Sequence, residues 1–367
     1  MDSSIYLQLA EDGLSMPLAV DLVLHDETSA PDIERVVCNG EELGRVVVRA
    51  ARRFGVPLAI PHMDLRLEKE LLLQGLQLGS GAPPAFHFKS APTGAEVQKI
   101  ISGVAAPLPP ALQAQVDAVR FVAGSAPDLV PCAMTIGPFS LMTTLLDDPI
   151  SAVYLASTGA TADDEPSVGL LDIALDLSMR TVERSLRAQL DAGAKLAVLC
   201  EPAVNKVYLS PRQMKAGPKA FDRLVMANLK RYKAVLEEYG ADLFLHDCGE
   251  LTETILSRLV ELRPAVLSLG SSERLWEAAK IVPSTTVLYG NLPSKQFYSD
   301  MGITEADVAK RANELIEHMS DIGRPFILGT ECDVLHVPGA ESAIWAKLGV
   351  MARTRRKPSG PSAKIGT

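Results

Sequence analysis

The chain has 367 residues, with 36 Lys plus Arg against 45 Asp plus Glu, a formal net charge of −9, and 47% hydrophobic against 22% charged residues. These proportions fit a globular chain with a large core and exclude a disordered or collagen-like one. The acidic balance argues against a nucleic-acid surface, which needs clustered Lys and Arg, and 7 Tyr and 2 Trp are too few for a base-stacking platform.

No run of about 18 uninterrupted apolar residues occurs, so no membrane span is expected. The opening residues, Met1-Asp-Ser-Ser-Ile-Tyr6, have neither a basic start nor an apolar stretch, which argues against a secretory signal. Five cysteines (Cys38, Cys132, Cys200, Cys248 and Cys332) are an odd number scattered along the chain. A disulfide framework is therefore not expected, and a cytoplasmic protein is.

Residues 1–55 are weakly patterned and yield no firm element. Short apolar runs follow at 57–61, 130–137 and 195–200, with helical stretches beginning at Phe139 and spanning 169–192. A long helix ends near Tyr239-Gly240, where glycine suits the cap. Further apolar runs lie at 242–246, 265–269, 286–289 and 325–329, separated by helix-length segments at 251–262, 273–281 and 304–322, with a last one at 340–353. Near-continuous apolar strands alternating with helices indicate a parallel sheet buried on both faces.

An open doubly wound sheet and a closed barrel both fit this rhythm, and two features favour the barrel. No Gly-x-Gly-x-x-Gly follows a strand, and no turn has phosphate-loop spacing. Glu201, His246, Cys248, Asn291 and Cys332 all lie just past the C-terminal end of a predicted strand, the end at which barrel enzymes build their sites. The expected architecture is α/β, a (β/α)8 TIM barrel forming one domain over residues 1–352 with an irregular N-terminal segment. A flexible basic tail is expected over 353–367, beginning Arg353-Thr-Arg-Arg-Lys357.

The segment Leu245-His246-Asp247-Cys248-Gly249-Glu250 carries the most chemistry. At a strand end, residues two apart point to the same side, so His246 and Cys248 can converge on one metal ion. Imidazole and thiolate are good zinc ligands, although His-x-Cys alone also fits a hydrogen-bonded histidine beside a core cysteine. Cys332, in Thr330-Glu331-Cys332-Asp333, supplies a third ligand if the last strand comes close. Three protein ligands leave one position open, as in catalytic rather than structural zinc sites.

With this triplet the chain resembles the uroporphyrinogen-decarboxylase superfamily, and within it the zinc-dependent methyltransferases that serve corrinoid proteins, which carry His-x-Cys and a distant Cys. Pro61-His-Met-Asp64 with Leu67-Glu68-Lys-Glu70, Gly137-Pro138 and Gly290-Asn291 resemble other segments of that family. The resemblance runs from about residue 40 to 352. The decarboxylases' arginine-rich Met-Arg-Gln-Ala-Gly-Arg segment has no counterpart here, which disfavours porphyrin decarboxylation, and no appended corrinoid-binding domain is expected, so that a corrinoid would arrive on a partner.

The resemblance implies a zinc enzyme that activates a small-molecule thiol such as coenzyme M to accept a methyl group from methylcobalamin carried on a partner corrinoid protein. It also makes Glu201, Asn291 and Asp64 the candidate catalytic residues. Glu201 is a temporary fourth ligand, a hydrogen-bond acceptor behind the ligands, or a plain structural carboxylate. Asn291 orients a substrate or a loop carbonyl, and Asp64 with Glu70 orders the mouth or forms an ion pair. Asp247 and Asp333 either brace the ligand strands or sit in solvated loops. Cys38, Cys132 and Cys200 read as buried apolar residues. Among the other histidines, only His62 lies at a strand end. A sulfonate on the thiol would need a cation, and Arg52, Arg53, Lys206 and Lys295 all lie near segments expected at the mouth, with nothing to choose among them. Rival activities are coenzyme M attack on an epoxide, methyl transfer from a methyl ether to a corrinoid protein, and a metal-free binding barrel.

Overall fold

The computed structural model describes residues 4–78, 83–216 and 218–354. Eight strands form one sheet: β1 (Ser15–Met16), β2 (Leu58–Ala59), β3 (Val130–Ile136), β4 (Leu196–Cys200), β5 (Asp242–Asp247), β6 (Val266–Leu269), β7 (Val287–Leu292) and β8 (Phe326–Thr330). Their order is β1-β8-β7-β6-β5-β4-β3-β2 and every pairing is parallel. Parallel neighbours need a crossover between them, and helices supply it, which accounts for the alternating rhythm of the sequence.

The sheet curls on itself. Met16, Leu58, Met134, Val198, Phe244, Val266, Tyr289 and Ile327, one from each strand, belong to a single buried cluster on the inner side. The alternate residues, such as Ala133, Leu199, Leu245, Leu267, Leu288 and Leu328, pack outward against the helices. Both faces are therefore dry, and β4 and β7 are buried along their whole length, so these runs are continuously apolar rather than alternating.

Residues 4–56, where hydropathy gave no firm element, hold the helices Ser4–Glu11, Val20–Glu27, Ile33–Val37 and Gly40–Phe54 together with β1. The first helix plugs the N-terminal end of the sheet. Its Tyr6 and Ala10 join the inner cluster, and the Tyr6 hydroxyl donates to Asp242 Oδ2 at 3.0 Å where β5 begins. The opposite end, where the strands finish, is left for the site. Elsewhere the helices start and stop on ordinary signals: Pro166 opens Pro166–Asp191, and Thr304 with Asp307 forms a capping box on Glu305–Asp321. Residues 355–367, most of the expected basic tail, lie outside the described residues. Among those described, no helix is long and apolar enough to cross a membrane.

Candidate metal centre

His246 is the fifth residue of β5, and Cys248 follows the strand by one residue. Cys332 leaves β8 by two. One nitrogen of His246 and the two sulfurs all lie within 4.8 Å of one another, with the imidazole buried and the thiols part-exposed. Ligands of one tetrahedral zinc sit about 3.3–3.8 Å apart given bond lengths of ~2.0–2.3 Å, so the group needs little movement to fit.

The histidine is oriented for this role. Its Nδ1 lies 2.8 Å from the hydroxyl of Ser268, the residue in register with it on β6, while its buried Nε2 has no protein partner. An unpartnered nitrogen aimed at two thiols is the arrangement a metal would satisfy, since buried polar atoms otherwise find hydrogen bonds. Of the two thiols only Cys248 is biased toward ionisation, while their mutual hydrogen bond and burial push the Cys332 thiol up. A hydrogen bond from Cys332 draws Cys248 down into the thiolate range, and His246 and Lys295 reinforce this. Ser268 had no signal in the sequence. It becomes visible only once β5 and β6 are in register.

Three loops are laced together around these side chains. Glu331 Oε2 accepts from the Ser271 hydroxyl at 2.6 Å and Oε1 from the Lys295 backbone N–H at 3.4 Å. The Ser294 hydroxyl donates to Cys332 O at 3.1 Å. Asn291 Nδ2 donates to Gly270 O at 2.6 Å and to Glu273 O at 2.7 Å, so its amide hydrogens serve loop carbonyls. That loop backs Cys248 closely: a Cβ on Gly270 would meet Cys248 O at 2.6 Å. Asp247 Oδ1 accepts from Gly249 N at 2.9 Å, shaping the turn through Cys248.

Glu201 lies just past β4, its backbone N–H donating to His246 O at 2.9 Å. Its fully buried carboxyl accepts from Ser140 N at 2.8 Å through Oε1, and Oε2 has no partner. Burial pushes it up to about 8, so it is a neutral acid at neutral pH. The mutually adjacent donor group does not include it. Burial likewise lifts Glu68 to about 7, Asp333 to about 7 and Asp247 well above the ordinary range.

Asp64 is bound by its neighbour Arg66 through Nε at 2.8 Å and NH2 at 2.7 Å; burial works against it, but these bonds hold its carboxyl below the usual range. In this segment it is Glu68, not Glu70, that is fully enclosed, accepting from the Ser185 hydroxyl at 2.8 Å. His62 bonds Asp21 Oδ1 at 3.1 Å, and the rings of His25 and His336 stack beside it at 4.3 Å. Asp21 has no motif around it and was not read from the sequence.

Two expectations need correction. Cys38 is exposed rather than buried, because it caps the short helix Ile33–Val37 at the surface. Arg52 and Arg53 are not at the mouth. They end the helix Gly40–Phe54, which leads into β2 and so lies at the strands' N-terminal end, where Arg52 pairs with Asp128 and Arg53 with Asp26. Lys206 is paired with Glu250. Lys295 instead faces the centre: burial works against its charge, but Cys248, Cys332 and Glu331 hold its ammonium above the ordinary range.

With this fold and site, the chain belongs to the uroporphyrinogen decarboxylase (URO-D) family, whose model matches residues 25–341. Among solved structures it is similar to a methyltransferase from Methanosarcina mazei, with a TM-score of 0.63 over 96% of this chain and 98% of that chain. At 17% identity that likeness is one of fold. No curated protein matches the chain.

Proposed function

We propose that the chain is a zinc-dependent alkyltransferase in which His246, Cys248 and Cys332 hold the metal. A small-molecule thiol of the coenzyme M kind accepts a methyl group from a methylated corrinoid carried on a separate protein. The observation that carries this reading is the group of three donor atoms within 4.8 Å, one of them the otherwise unpartnered Nε2 of His246. Three donors leave room for a substrate at the fourth position. Bound there, zinc would supply the Lewis acidity that keeps a thiol ionised near neutral pH. The substrate sulfur then attacks the methyl carbon; the S–C bond forms, and the electron pair of the broken bond stays with the donor.

The protein's own residues prepare this step. Ser268 fixes the imidazole, Asn291 holds the loop that backs Cys248, Glu331 ties the Cys332 segment to the loops after β6 and β7, and neutral Glu201 adds no negative charge beside them. Asp64, with Arg66, orders the rim. The same reading treats the curled sheet as a closed barrel, with β1 and β2 completing the ring, and residues 1–352 as one domain in a cytoplasmic protein. The URO-D family match and the methyltransferase-like fold support it.

Zinc analysis followed by incubation of the loaded protein with coenzyme M tests the proposal. Methylcobalamin, an epoxide and a methyl ether with a cobalamin acceptor are offered in separate reactions. Thioether formation from methylcobalamin is the expected outcome. Turnover only with the epoxide or only with the ether would replace the donor, and a chain without zinc would overturn the reading.

A further inference from the structure

We propose that His62 and Asp21 form a pH-sensitive clasp that holds the mouth end of the seam between β1 and β2. β1 pairs only with β8 and β2 only with β3, so these two strands are the ends of the sheet order. Among the described residues no backbone hydrogen bond joins them. Side chains fill the seam instead: Met16 and Leu18 from one edge meet Val56, Leu58 and Ile60 from the other in the inner cluster. Polar contacts cross it at either end. At the strands' N-terminal end, Arg53 pairs with Asp26 at 2.7 Å on the surface. At the mouth, His62 Nε2 bonds Asp21 Oδ1 at 3.1 Å, with both side chains largely buried. The same carboxylate ties in the segment after β8, because its Oδ2 accepts from His336 N at 2.8 Å. Leu18 adds two bonds, donating to Thr330 Oγ1 at 3.1 Å and accepting from Val334 N at 2.7 Å. Residues 330–336, which include Cys332, are thus held from the β1 side of the seam.

His62 is the member of the pair whose charge changes near neutral pH. Burial works against its cation, but Asp21, bonded to it, and Asp333 after β8 raise it above its ordinary 6.5, with Asp64 of its own loop adding to this. Burial also opposes the Asp21 carboxylate, which His62, the His336 N–H and His25, its Nδ1 3.6 Å away, hold below the usual range. Of the other groups beside the pair, Arg66 is bonded to Asp64 and His336 Nε2 to Glu341. A hydrogen bond from imidazolium to carboxylate is charge-assisted and stronger than one from neutral imidazole. The stability this adds is complete below pH 6.5 and is lost as pH rises through the higher value that His62 has in the fold. The mouth end of the seam therefore loosens toward alkaline pH.

The inference does not depend on the zinc reading. Its test is the titration of the His62 imidazole by NMR in the full chain, together with amide exchange of Leu18, Val334 and His336 from about pH 5 to 9. His62 should titrate above 6.5. Protection of the three amides, corrected for intrinsic exchange, should fall about five- to tenfold through that titration, while β4 and β5 stay unchanged. His62→Gln, which keeps a donor but no charge, should show the lower protection at every pH. Asp21→Asn should bring the His62 titration down to 6.5 or below. A wild-type His62 that titrates at or below its ordinary value would overturn the inference. So would a pH dependence of the three amides that His62→Gln leaves intact.

Discussion

A Cβ on Gly137 would stand 1.0 Å from Oε2 of Glu201: the turn after β3 has no side chain because the carboxyl after β4 occupies its place. The same turn binds back to the neighbouring strand, with Gly137 N donating to Cys200 O at 2.6 Å. The Gly-Pro pair and the acidic residue before Pro202, separate motifs in the sequence, are thus two halves of one packing contact.

Gly137→Ala should therefore displace the Glu201 carboxyl and break its bond from Ser140. A destabilisation of about 1–3 kcal/mol is expected from such overpacking, measured by urea unfolding. Glu201→Ala should recover part of that loss in the double variant. Strictly additive effects would mean that the two side chains do not compete for one space.

Ser268→Ala removes the hydroxyl that orients His246. Zinc affinity should fall by about 10- to 100-fold, the usual cost of losing such a partner, as read by competition with a chromophoric chelator. His246→Ala, Cys248→Ala and Cys332→Ala should abolish stoichiometric zinc. Cys38→Ala, Cys132→Ala and Cys200→Ala should retain it, since Cys38 lies exposed at a helix end and the other two are enclosed in the core.

Asn291→Ala leaves the carbonyls of Gly270 and Glu273 without their amide donor. A loss of about 1–3 kcal/mol follows from the unmet hydrogen bonds, and amide exchange should quicken around Gly270 and Cys248. Exchange unchanged in that loop would show that Asn291 does not hold it.

Much of this was legible in the sequence. Seven of the eight strands fall at apolar runs of about four to eight residues, and the candidate triplet of His246, Cys248 and Cys332 follows from a two-residue strand period joined to one distant cysteine. β1 was not legible because Ser15–Met16 has no continuous apolar run around it, whereas β2, equally short, lies inside the apolar run 57–61. Ser268, Asp21 and the pairing of Gly137 with Glu201 depend on strand register or on loops meeting across the mouth, which no local pattern encodes. Arg52 and Arg53 were misplaced for a related reason: hydropathy gives a helix but not the end of the sheet at which its last turn lies.

Glu68 gives the fold a pH dependence. Burial raises its carboxyl from 4.5 to about 7. Below that window both folded and unfolded chains hold the proton; within it only the folded chain does. Unfolding then releases a proton, and stability falls as pH rises through the window. The full change is about 3 kcal/mol at 1.36 kcal/mol per pKa unit. Glu68→Gln lacks it, so urea unfolding at pH 5, 6 and 8 should show the variant gaining on wild type with rising pH. A constant difference would mean that Glu68 titrates normally.

The central claim, that three protein ligands leave a metal position for a thiol, is tested most directly by zinc X-ray absorption on the loaded protein before and after coenzyme M is added. Before addition the zinc should show two sulfur neighbours at ~2.3 Å and one nitrogen at ~2.0 Å; afterwards a third sulfur should appear at ~2.3 Å. About one proton per site should be released near pH 7, because the metal binds thiolate rather than thiol. An unchanged sulfur count at saturating thiol, with no proton released, would contradict the account.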